Sequence, residues 1–423
     1  MSEPTAPTAP PAAAAAAPAR PWAVWLVLLA AAGTFALTMG TRQSMGLFLG
    51  PLNTATGLGL GSISLAFAFG QLWWGLTQPF AGALADKLGA GRVLAIGVAL
   101  VALGTLITPF MTSTAGLILA IGVLAAGGAG MAGPAVLMAT TMRLIPPERR
   151  AMATAIVNAG GSAGQFVMAP LAGALLIGLG WSSAMQVMGL LVLLALPAAL
   201  VLRGTSMPAA AVPGAAAPAA ALTTGQAVMA ALRHPSFLLL ASGFFVCGFH
   251  VAFLGTHLPG VVAACGLPLQ YAGWALAMLG LFNIVGSLAI GWAMGRWRLK
   301  SLLSLIYAAR GLFVLAFLLA PKTGAVMLLF AAAMGVTFLS TVPPTAGLVA
   351  KFFGTRHMAT LFGLVMLTHQ VGGFLGAWLG GKVFEANGNY DLVWYVDIVL
   401  AAGAALIHLP IREAVMAKAP APA

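Results

Sequence analysis

Long runs of apolar residues, each long enough to cross a lipid bilayer, dominate this chain. A bilayer-spanning α-helix needs about 20 mostly apolar residues, and the sequence contains twelve such runs. Only 6% of the residues are charged, whereas ordinary soluble domains have about 25%. These numbers exclude a soluble globular fold and predict an all-α membrane protein with twelve transmembrane helices. The predicted spans cover residues 22–48, 60–84, 92–110, 115–141, 151–178, 182–202, 236–258, 269–294, 301–319, 324–350, 358–384 and 392–410.

Two stretches of low complexity interrupt this pattern. Both are rich in Ala and Pro and lack the apolar residues that a packed core requires. They divide the spans into two sets of six. The predicted organisation is a disordered N-terminal tail (1–21), an N-terminal six-helix bundle (22–202), a cytoplasmic linker (203–235), a C-terminal six-helix bundle (236–411) and a C-terminal tail (412–423).

The basic residues are distributed unequally between the two sides of the predicted membrane. Of the nineteen Lys and Arg residues, Arg42 and Arg310 lie inside spans. Lys322 and Lys382 lie on one side, and the remaining fifteen lie on the other. Because cytoplasmic loops carry the excess of Lys and Arg, both termini are expected in the cytoplasm. The net charge of +12 is therefore attributed to membrane orientation, and no nucleic-acid partner is expected.

The two halves of the chain are similar to each other. Residues 82–87 (GALADK) match residues 291–296 (GWAMGR), and residues 150–154 (RAMAT) match residues 356–360 (RHMAT). Two parallel six-helix repeats are an architecture of secondary transporters, in which the substrate site lies near the midplane between the repeats. The repeat therefore predicts a transporter.

The segment GALADKLGAGR, residues 82–92, resembles the loop between spans two and three of the major facilitator superfamily. The resemblance implies a twelve-helix fold that works by alternating access. It also implies a gating role for three residues: Asp86 caps or pairs across the cytoplasmic gate, while Lys87 and Arg92 face the cytoplasm. A solvated loop pair is the alternative interpretation of Asp86 and Lys87.

A narrower resemblance is to the monocarboxylate transporters and their oxalate/formate-exchanging relatives. It rests on GTRQSMGLF (40–48), on WAVW (22–25) and on FNIVGSLAIG (282–291). The family places a lysine near the position of Arg42, which implies a cation for substrate binding there. Animal members have an acid and an arginine in span eight, where this chain has Asn283 and Ser287.

Arg42 is the leading candidate for substrate binding because it lies inside the first apolar span, next to Gln43. An ionised side chain at the bilayer centre costs on the order of 3 kcal/mol, so such residues usually face a cavity or a partner. A guanidinium can bind a carboxylate through two parallel hydrogen bonds. The alternative is an arginine whose side chain extends to the outer membrane interface.

Two histidines and one acid inside spans are candidates for proton coupling. His250 lies in span seven and His369 in span eleven, and histidine titrates nearest to neutral pH. Spans one, four, seven and ten line the cavity in the superfamily and span eleven supports them, so both histidines are also expected near the substrate. Asp397 in span twelve is a further candidate, although spans nine and twelve are usually peripheral. A structural role, or a pairing with a neighbouring span, is therefore expected for Arg310. A structural role is the alternative for Asp397, and a satisfied histidine without a function is the alternative for His250 and for His369.

Neutral polar side chains within spans complete the predicted binding site. Asn158 and Gln165 share one face of span five, Asn283 lies in span eight, and Gln370 follows His369 in span eleven. Such groups orient small polar ligands. Hydrogen bonding between helices is their alternative role.

Prolines occupy similar positions in spans four and ten. Pro134 lies in span four, and Pro343 and Pro344 lie in span ten. Each proline removes a backbone donor and bends a helix. The prolines are therefore candidate gating residues, and plain kinks are the alternative.

These observations predict a secondary active transporter of a small organic anion, expected to be a monocarboxylate, moved with a proton or in exchange for a counter-substrate. It is expected to be a monomer in a bacterial inner membrane, with no cofactor and no metal. A drug/proton efflux antiporter is the alternative, based on a faint similarity of residues 160–173 to a span-five motif. A membrane receptor or membrane-embedded enzyme is the remaining class, for which the sequence offers no convergent catalytic set.

Overall fold

A computed structural model of the chain describes residues 21–145, 149–203, 223–354 and 357–413. Within these ranges the chain is almost entirely helical and contains no β-strand. The predicted terminal tails and linker fall mostly outside the described residues, as does Arg356 of the internal repeat. The side chain of Asp86 is also outside the description.

Six membrane-length segments, numbered spans 1 to 6, form the N-terminal half. Span 1 comprises Pro21–Ser44, a 3₁₀ turn at Met45–Phe48 and Leu49–Thr56; span 2 is Leu60–Leu88; span 3 is Ala90–Ile107 with a 3₁₀ turn at Thr108–Phe110; span 4 comprises Thr114–Leu117, a π-helical stretch Ile118–Ala125, Ala126–Met131 and Pro134–Leu144; span 5 is Arg150–Leu179; span 6 comprises Trp181–Val192, Leu193–Ala195 and Leu196–Val201.

Six further segments, spans 7 to 12, form the C-terminal half after a short helix at Thr224–Leu232. Span 7 is Pro235–Ala264; span 8 is Gln270–Met294; span 9 is Leu299–Leu319; span 10 comprises Gly324–Thr337 and Val342–Phe353; span 11 is Met358–Asn387; span 12 is Asp391–His408.

The prediction of an all-α membrane fold with two six-helix repeats is confirmed. Within the described residues, eleven helices are long and apolar enough to cross a membrane. Span 2 adds a helix of 29 residues that is less apolar because it contains Gln71 and Gln78. Span 1 is longer than expected and continues to Thr56. Pro51 is tolerated there because it lies in the first turn of its helical segment, where its missing N–H needs no partner.

Glycines let neighbouring spans approach closely within each half. Span 1 runs along span 5, and a Cβ atom added to Gly40 would lie 2.6 Å from the backbone oxygen of Gly164. Span 7 runs along span 11 in the same manner, with Gly372 against the backbone of Phe245. Because lipid tails are as apolar as leucine, membrane helices associate through close van der Waals packing rather than through the hydrophobic effect.

The two halves meet mainly where span 2 packs on span 11 and span 5 on span 8. At the start of span 2, the Gly61 N–H donates a 3.1 Å hydrogen bond to Glu385 of span 11. Gly46 of span 1 packs against the backbone of Thr256 in span 7. Both contacts lie toward the face opposite the chain termini. After their breaks, spans 4 and 10 make their main contacts within their own halves. Within the described residues, the halves are therefore in contact on that opposite face, and the segments of spans 4 and 10 toward the termini make no main contact across the two halves.

Replacing Gly164 with Ala is expected to lower the unfolding temperature of the detergent-solubilised protein, because the added methyl group would meet the backbone of Ala36. Overpacking of this kind costs about 1–3 kcal/mol. Gly33→Ala is the matched control, since a Cβ atom there meets no other atom within 4 Å. Tryptophan fluorescence during heating measures both variants, and equal losses would contradict the proposed helix contact.

Candidate functional site

Arg42 lies near the end of the first helical segment of span 1, between the two halves. Its Nη2 donates a hydrogen bond to Oε1 of Gln71 in span 2. Its guanidinium carbon lies 4.8 Å from the centre of the Trp74 ring. Among the side chains that the structure describes, no carboxylate lies within 4.0 Å of this half-buried arginine. A neutral amide and an aromatic face hold the cation without neutralising it, so it can still attract an anion.

A small cavity of about 50 Å³ borders Arg42. Spans 1, 2, 3, 4 and 7 contribute its walls, which include Thr41, Gln43, Gln71, Thr105 and Thr256 beside the apolar Phe67 and Ile121. This volume holds one or two water molecules. The cavity therefore marks the narrow, closed end of the space between the halves.

Gln370 and Gln165 lie at the two interfaces between the halves. Gln370 of span 11 packs against Gly75 of span 2, and Gln165 of span 5 packs against Gly280 of span 8. Both side chains are buried, and within the described part of the chain neither Nε2 atom has a hydrogen-bond partner. Unpaired buried donors are costly, so these two amides have unused capacity to bind a ligand or a water molecule.

Asn158 and Asn283 have different surroundings from these glutamines. Asn158 is exposed on span 5. Asn283 is 3% exposed, donates to Ser162 Oγ at 2.8 Å and accepts from the Leu339 N–H at 3.1 Å. Asn283 thus links span 5 of one half to span 10 of the other. Its hydrogen-bonding groups are already used in this conformation.

His250 lies against Asp397. Both side chains are 1% exposed, and His250 Nε2 is 3.0 Å from Asp397 Oδ1. Within the described residues, Asp397 is the only buried acid. The sequence predicted proton-coupling roles for the two residues separately, whereas the structure brings them together at the packing of span 7 on span 12. In this conformation neither contributes to the cavity beside Arg42.

Arg310 lies in the same region and is also 1% exposed. Its Nη2 donates to the backbone carbonyls of Thr337 and of Phe338, the latter at 2.7 Å. Its charge acts electrostatically on His250 and Asp397. Arg310 and Asp397 therefore share one buried polar cluster with His250. A structural role had been considered for both residues from the sequence.

His369 connects this cluster to the interface between the halves. Its ring lies 4.9 Å from the Phe244 ring, and its backbone packs against Gly248 of span 7. Its Nδ1 has no hydrogen-bond partner among the described residues. The next residue, Gln370, faces span 2. His369 therefore lies between the Arg310 region and the contact of span 11 with span 2.

The chain is interrupted at both predicted proline sites. Span 4 ends one helical segment at Met131 and resumes at Pro134. Span 10 stops at Thr337 and resumes at Val342, immediately before Pro343 and Pro344. Lys87 and Arg92 are exposed on either side of the tight turn at Gly89, whose φ is +88°. The gating roles of these residues remain predictions.

Two residues of the polar interior were not singled out from the sequence. Ser162 receives the hydrogen bond from Asn283, and Tyr307 lies with its ring 5.4 Å from the Arg310 guanidinium. Serines in membrane helices commonly bond to their own backbone, so Ser162 has no distinctive sequence signal. Tyr307 had one, because a phenol in an apolar span needs a buried acceptor, and here it donates to the Gly243 carbonyl at 2.6 Å.

The twelve-helix fold, with its two repeats and polar interior, defines a membrane transporter. The family model of the Major Facilitator Superfamily matches residues 30–377 and 270–421. The chain belongs to the major facilitator superfamily, whose members are transporters and not enzymes.

Relatives and a solved structure agree with this assignment. The uncharacterised MFS-type transporter YcxA of Bacillus subtilis is 26% identical over 389 residues, covering 89% of this chain and 92% of the relative. Monocarboxylate transporter 13 of Rattus norvegicus is 28% identical over 401 residues, covering 90% and 88%. A crystal structure of the nucleoside transporter NupG superposes with a TM-score of 0.76 at 17% identity, covering 92% of this chain and 99% of that one.

Asn283→Ala is expected to destabilise the protein by about 1–3 kcal/mol, because it leaves the Leu339 N–H and Ser162 without their partner. Ser162→Ala is expected to have a smaller effect. Thermal unfolding of both single variants and the double variant measures the coupling. The double variant should lose less than the two single losses added together, and strict additivity would show that the contact contributes nothing.

Proposed function

We propose that this protein is a secondary transporter of a small organic anion of the monocarboxylate class, driven by a proton gradient or by exchange with a counter-substrate. The observation that carries the proposal is Arg42. It places a positive charge between the two halves, in contact with Gln71 and Trp74, with no carboxylate within 4.0 Å among the described side chains. An anionic substrate supplies the missing counter-charge through charge-assisted hydrogen bonds.

Neutral groups near Arg42 support selection of a small ligand. Gln43 shares the cavity with Arg42. Gln165 and Gln370 lie at the interfaces between the halves, and their amide nitrogens have no hydrogen-bond partner in the part of the chain that the structure describes. The narrow cavity suits a compact substrate, once the halves move apart around it. Monocarboxylate transporter 13 is named for substrates of this class. The 4-hydroxybenzoate transporter PcaK of Pseudomonas aeruginosa, 27% identical over 169 residues that cover 39% of this chain and 37% of that relative, is named for an aromatic acid.

Transport follows alternating access in this proposal. The excess of Lys and Arg on the termini face supports a cytoplasmic location of both termini, and with that orientation the described conformation opens to the cytoplasm. The N-terminal and C-terminal bundles (residues 22–202 and 236–411) rock around the central site. The breaks before Pro134 and Pro343 let spans 4 and 10 bend during this motion. Lys87, Arg92 and Asp86 act at the cytoplasmic gate.

Proton coupling is assigned to the buried pair His250 and Asp397, with His369 as the link toward the cavity. The pair lies 3.0 Å apart and is shielded from water. A proton that binds there changes the net charge of a low-dielectric site, where electrostatic interactions are strongest. His369 lies next to Gln370, a residue of span 11 that faces span 2.

Arg42→Gln is expected to abolish uptake of small monocarboxylates into proteoliposomes, while Arg42→Lys retains part of it. Losing hydrogen bonds from a charged group costs about 1.5–3 kcal/mol, which corresponds to a loss of roughly 10-fold or more in apparent affinity. The measurement is uptake of radiolabelled carboxylates of graded size, from formate to benzoate.

The exposed Arg233→Gln variant is the matched control, because it removes the same charge from the connection before span 7. Its uptake should equal that of the unmodified protein. Unchanged carboxylate uptake in Arg42→Gln would contradict the proposal. Uptake of lipophilic cations that does not depend on Arg42 would instead favour the drug/proton antiporter.

Asp397→Asn is expected to abolish substrate accumulation driven by a pH gradient and to preserve exchange of labelled for unlabelled substrate. Exchange needs binding and bundle motion only, whereas accumulation also needs the proton site. Both fluxes are measured in the same proteoliposomes. Asp391→Asn is the control, since this acid is exposed at the start of the same span. Full accumulation in Asp397→Asn would exclude Asp397 as a proton carrier.

A further inference from the structure

The break in span 10 leaves backbone carbonyls without their usual helical partners. In a continuous helix, the Phe338 carbonyl would accept a hydrogen bond from the N–H of Val342. Here the Val342 N–H bonds to Leu339 instead, at 3.1 Å. Such carbonyls in a membrane interior must find another donor or remain at high free energy.

Arg310 supplies that donor from a different span. Its Nη2 reaches the carbonyls of both Thr337 and Phe338, which are the last residue of the first segment of span 10 and the first residue of the break. The guanidinium therefore caps the end of this segment, where the helix dipole favours a positive charge. Among the described residues, no side chain caps the break in span 4 in this way. Its Ala132 and Gly133 N–H groups bond to Gly128 and Gly130 of their own backbone.

The charge on Arg310 is only partly balanced. Its Nε and Nη1 have no hydrogen-bond partner among the described residues, and neither oxygen of Asp397 accepts a well-formed hydrogen bond from them. Asp397 is nevertheless the acid on which Arg310 acts electrostatically, and it lies against His250. With Asp397 ionised and His250 neutral, the cluster has no net charge. One added proton leaves a net positive charge in a buried site, which is costly unless water or a movement of the chain relieves it.

We propose that Arg310 is a positioning residue: its hydrogen bonds to the Thr337 and Phe338 carbonyls keep the backbone at the break of span 10 in place. Proton uptake by Asp397 and His250 releases the Arg310 guanidinium from these carbonyls. This inference rests on the proposed transport function and assigns a task to Arg310 within it. A proton on the pair leaves Arg310 without its counter-charge. Water then reaches the guanidinium or the guanidinium leaves the two carbonyls, and either event opens the backbone at residues 338–342. Protonation is thereby connected to the bending of span 10, while span 4 bends independently of pH.

Several other groups that titrate or carry charge face this cluster, and each can modify its response to pH. They come from four spans: Cys247 of span 7, Tyr307 of span 9, His369 of span 11 and His408 of span 12. Tyr307 donates a hydrogen bond to the Gly243 carbonyl, His408 Nδ1 lies 2.6 Å from the Ala404 carbonyl, and Cys247 Sγ lies 3.0 Å from Thr341 Oγ1. These three groups already have partners, whereas His369 keeps a free Nδ1 among the described residues and can also respond to pH. The proposal assigns the proton to His250 and Asp397 because these two side chains are in direct contact.

Hydrogen–deuterium exchange of the full-length protein in lipid nanodiscs tests this mechanism without any substrate. Exchange is corrected for its intrinsic pH dependence, and the amides of residues 338–342 are compared with those of 132–137 in span 4. In the unmodified protein, lowering the pH should increase opening at the span 10 break only. Asp397→Asn should show exchange on the order of tenfold faster at this break at neutral pH, with no further increase at low pH. Asp391→Asn should match the unmodified protein.

Equal protection of residues 338–342 in the unmodified protein and Asp397→Asn would overturn the proposal. If Asp397→Asn does not fold, the unmodified protein decides the question, because parallel pH responses at the two breaks overturn the proposal as well. Arg310→Lys separates the capping role from bulk charge: it keeps the charge but loses the planar fork, so the break should be less protected at every pH. If Arg42→Gln left carboxylate uptake unchanged, the proposed anionic substrate would be contradicted, whereas these exchange results would still stand.

Discussion

The absence of water in the bilayer interior is the constraint on which this structure depends. Each polar group inside the hydrocarbon region must find its partner within the protein, since lipid offers none. Asn283 satisfies this requirement by joining spans 5 and 10, and Tyr307 does so by donating to Gly243. Groups that remain unpaired, such as the amide nitrogens of Gln165 and Gln370, are therefore the informative ones. They lie where the two halves meet, which is where a substrate would replace water.

The two arginines inside the spans illustrate how surroundings assign different tasks to the same side chain. Arg42 is half-buried and is held by one amide and one aromatic ring, so part of its hydrogen-bonding capacity stays free. Arg310 is almost fully buried, and its Nη2 donates hydrogen bonds to two carbonyls of span 10. A mobile anion suits the first environment. The second environment instead fixes the backbone, because those carbonyls would lose their hydrogen-bond donor if the guanidinium moved away.

Much of the fold followed from the sequence because the signals were local. Spans were visible from their length and apolar composition, and the breaks before Pro134 and Pro343 followed from the missing N–H of proline. The continuation of span 1 to Thr56 was missed because Asn53, Thr54 and Thr56 interrupt the apolar run. The pairing of His250 with Asp397 was also missed. Each residue stands alone in its own apolar span, and no periodicity links two helices that are far apart in the chain.

The amino-acid sequence was sufficient to recognise a twelve-helix membrane transporter, because span length and the repeat are properties of consecutive residues. It also identified Arg42, His250, His369 and Asp397 as polar groups within membrane spans, where each needs a partner or a function. Which of these groups contact each other became visible only in the folded chain. Close packing at glycines such as Gly40 and Gly164 sets how the helices approach and rotate against each other. That geometry turns Arg42 toward the space between the halves and turns Arg310, Asp397 and His250 toward one another.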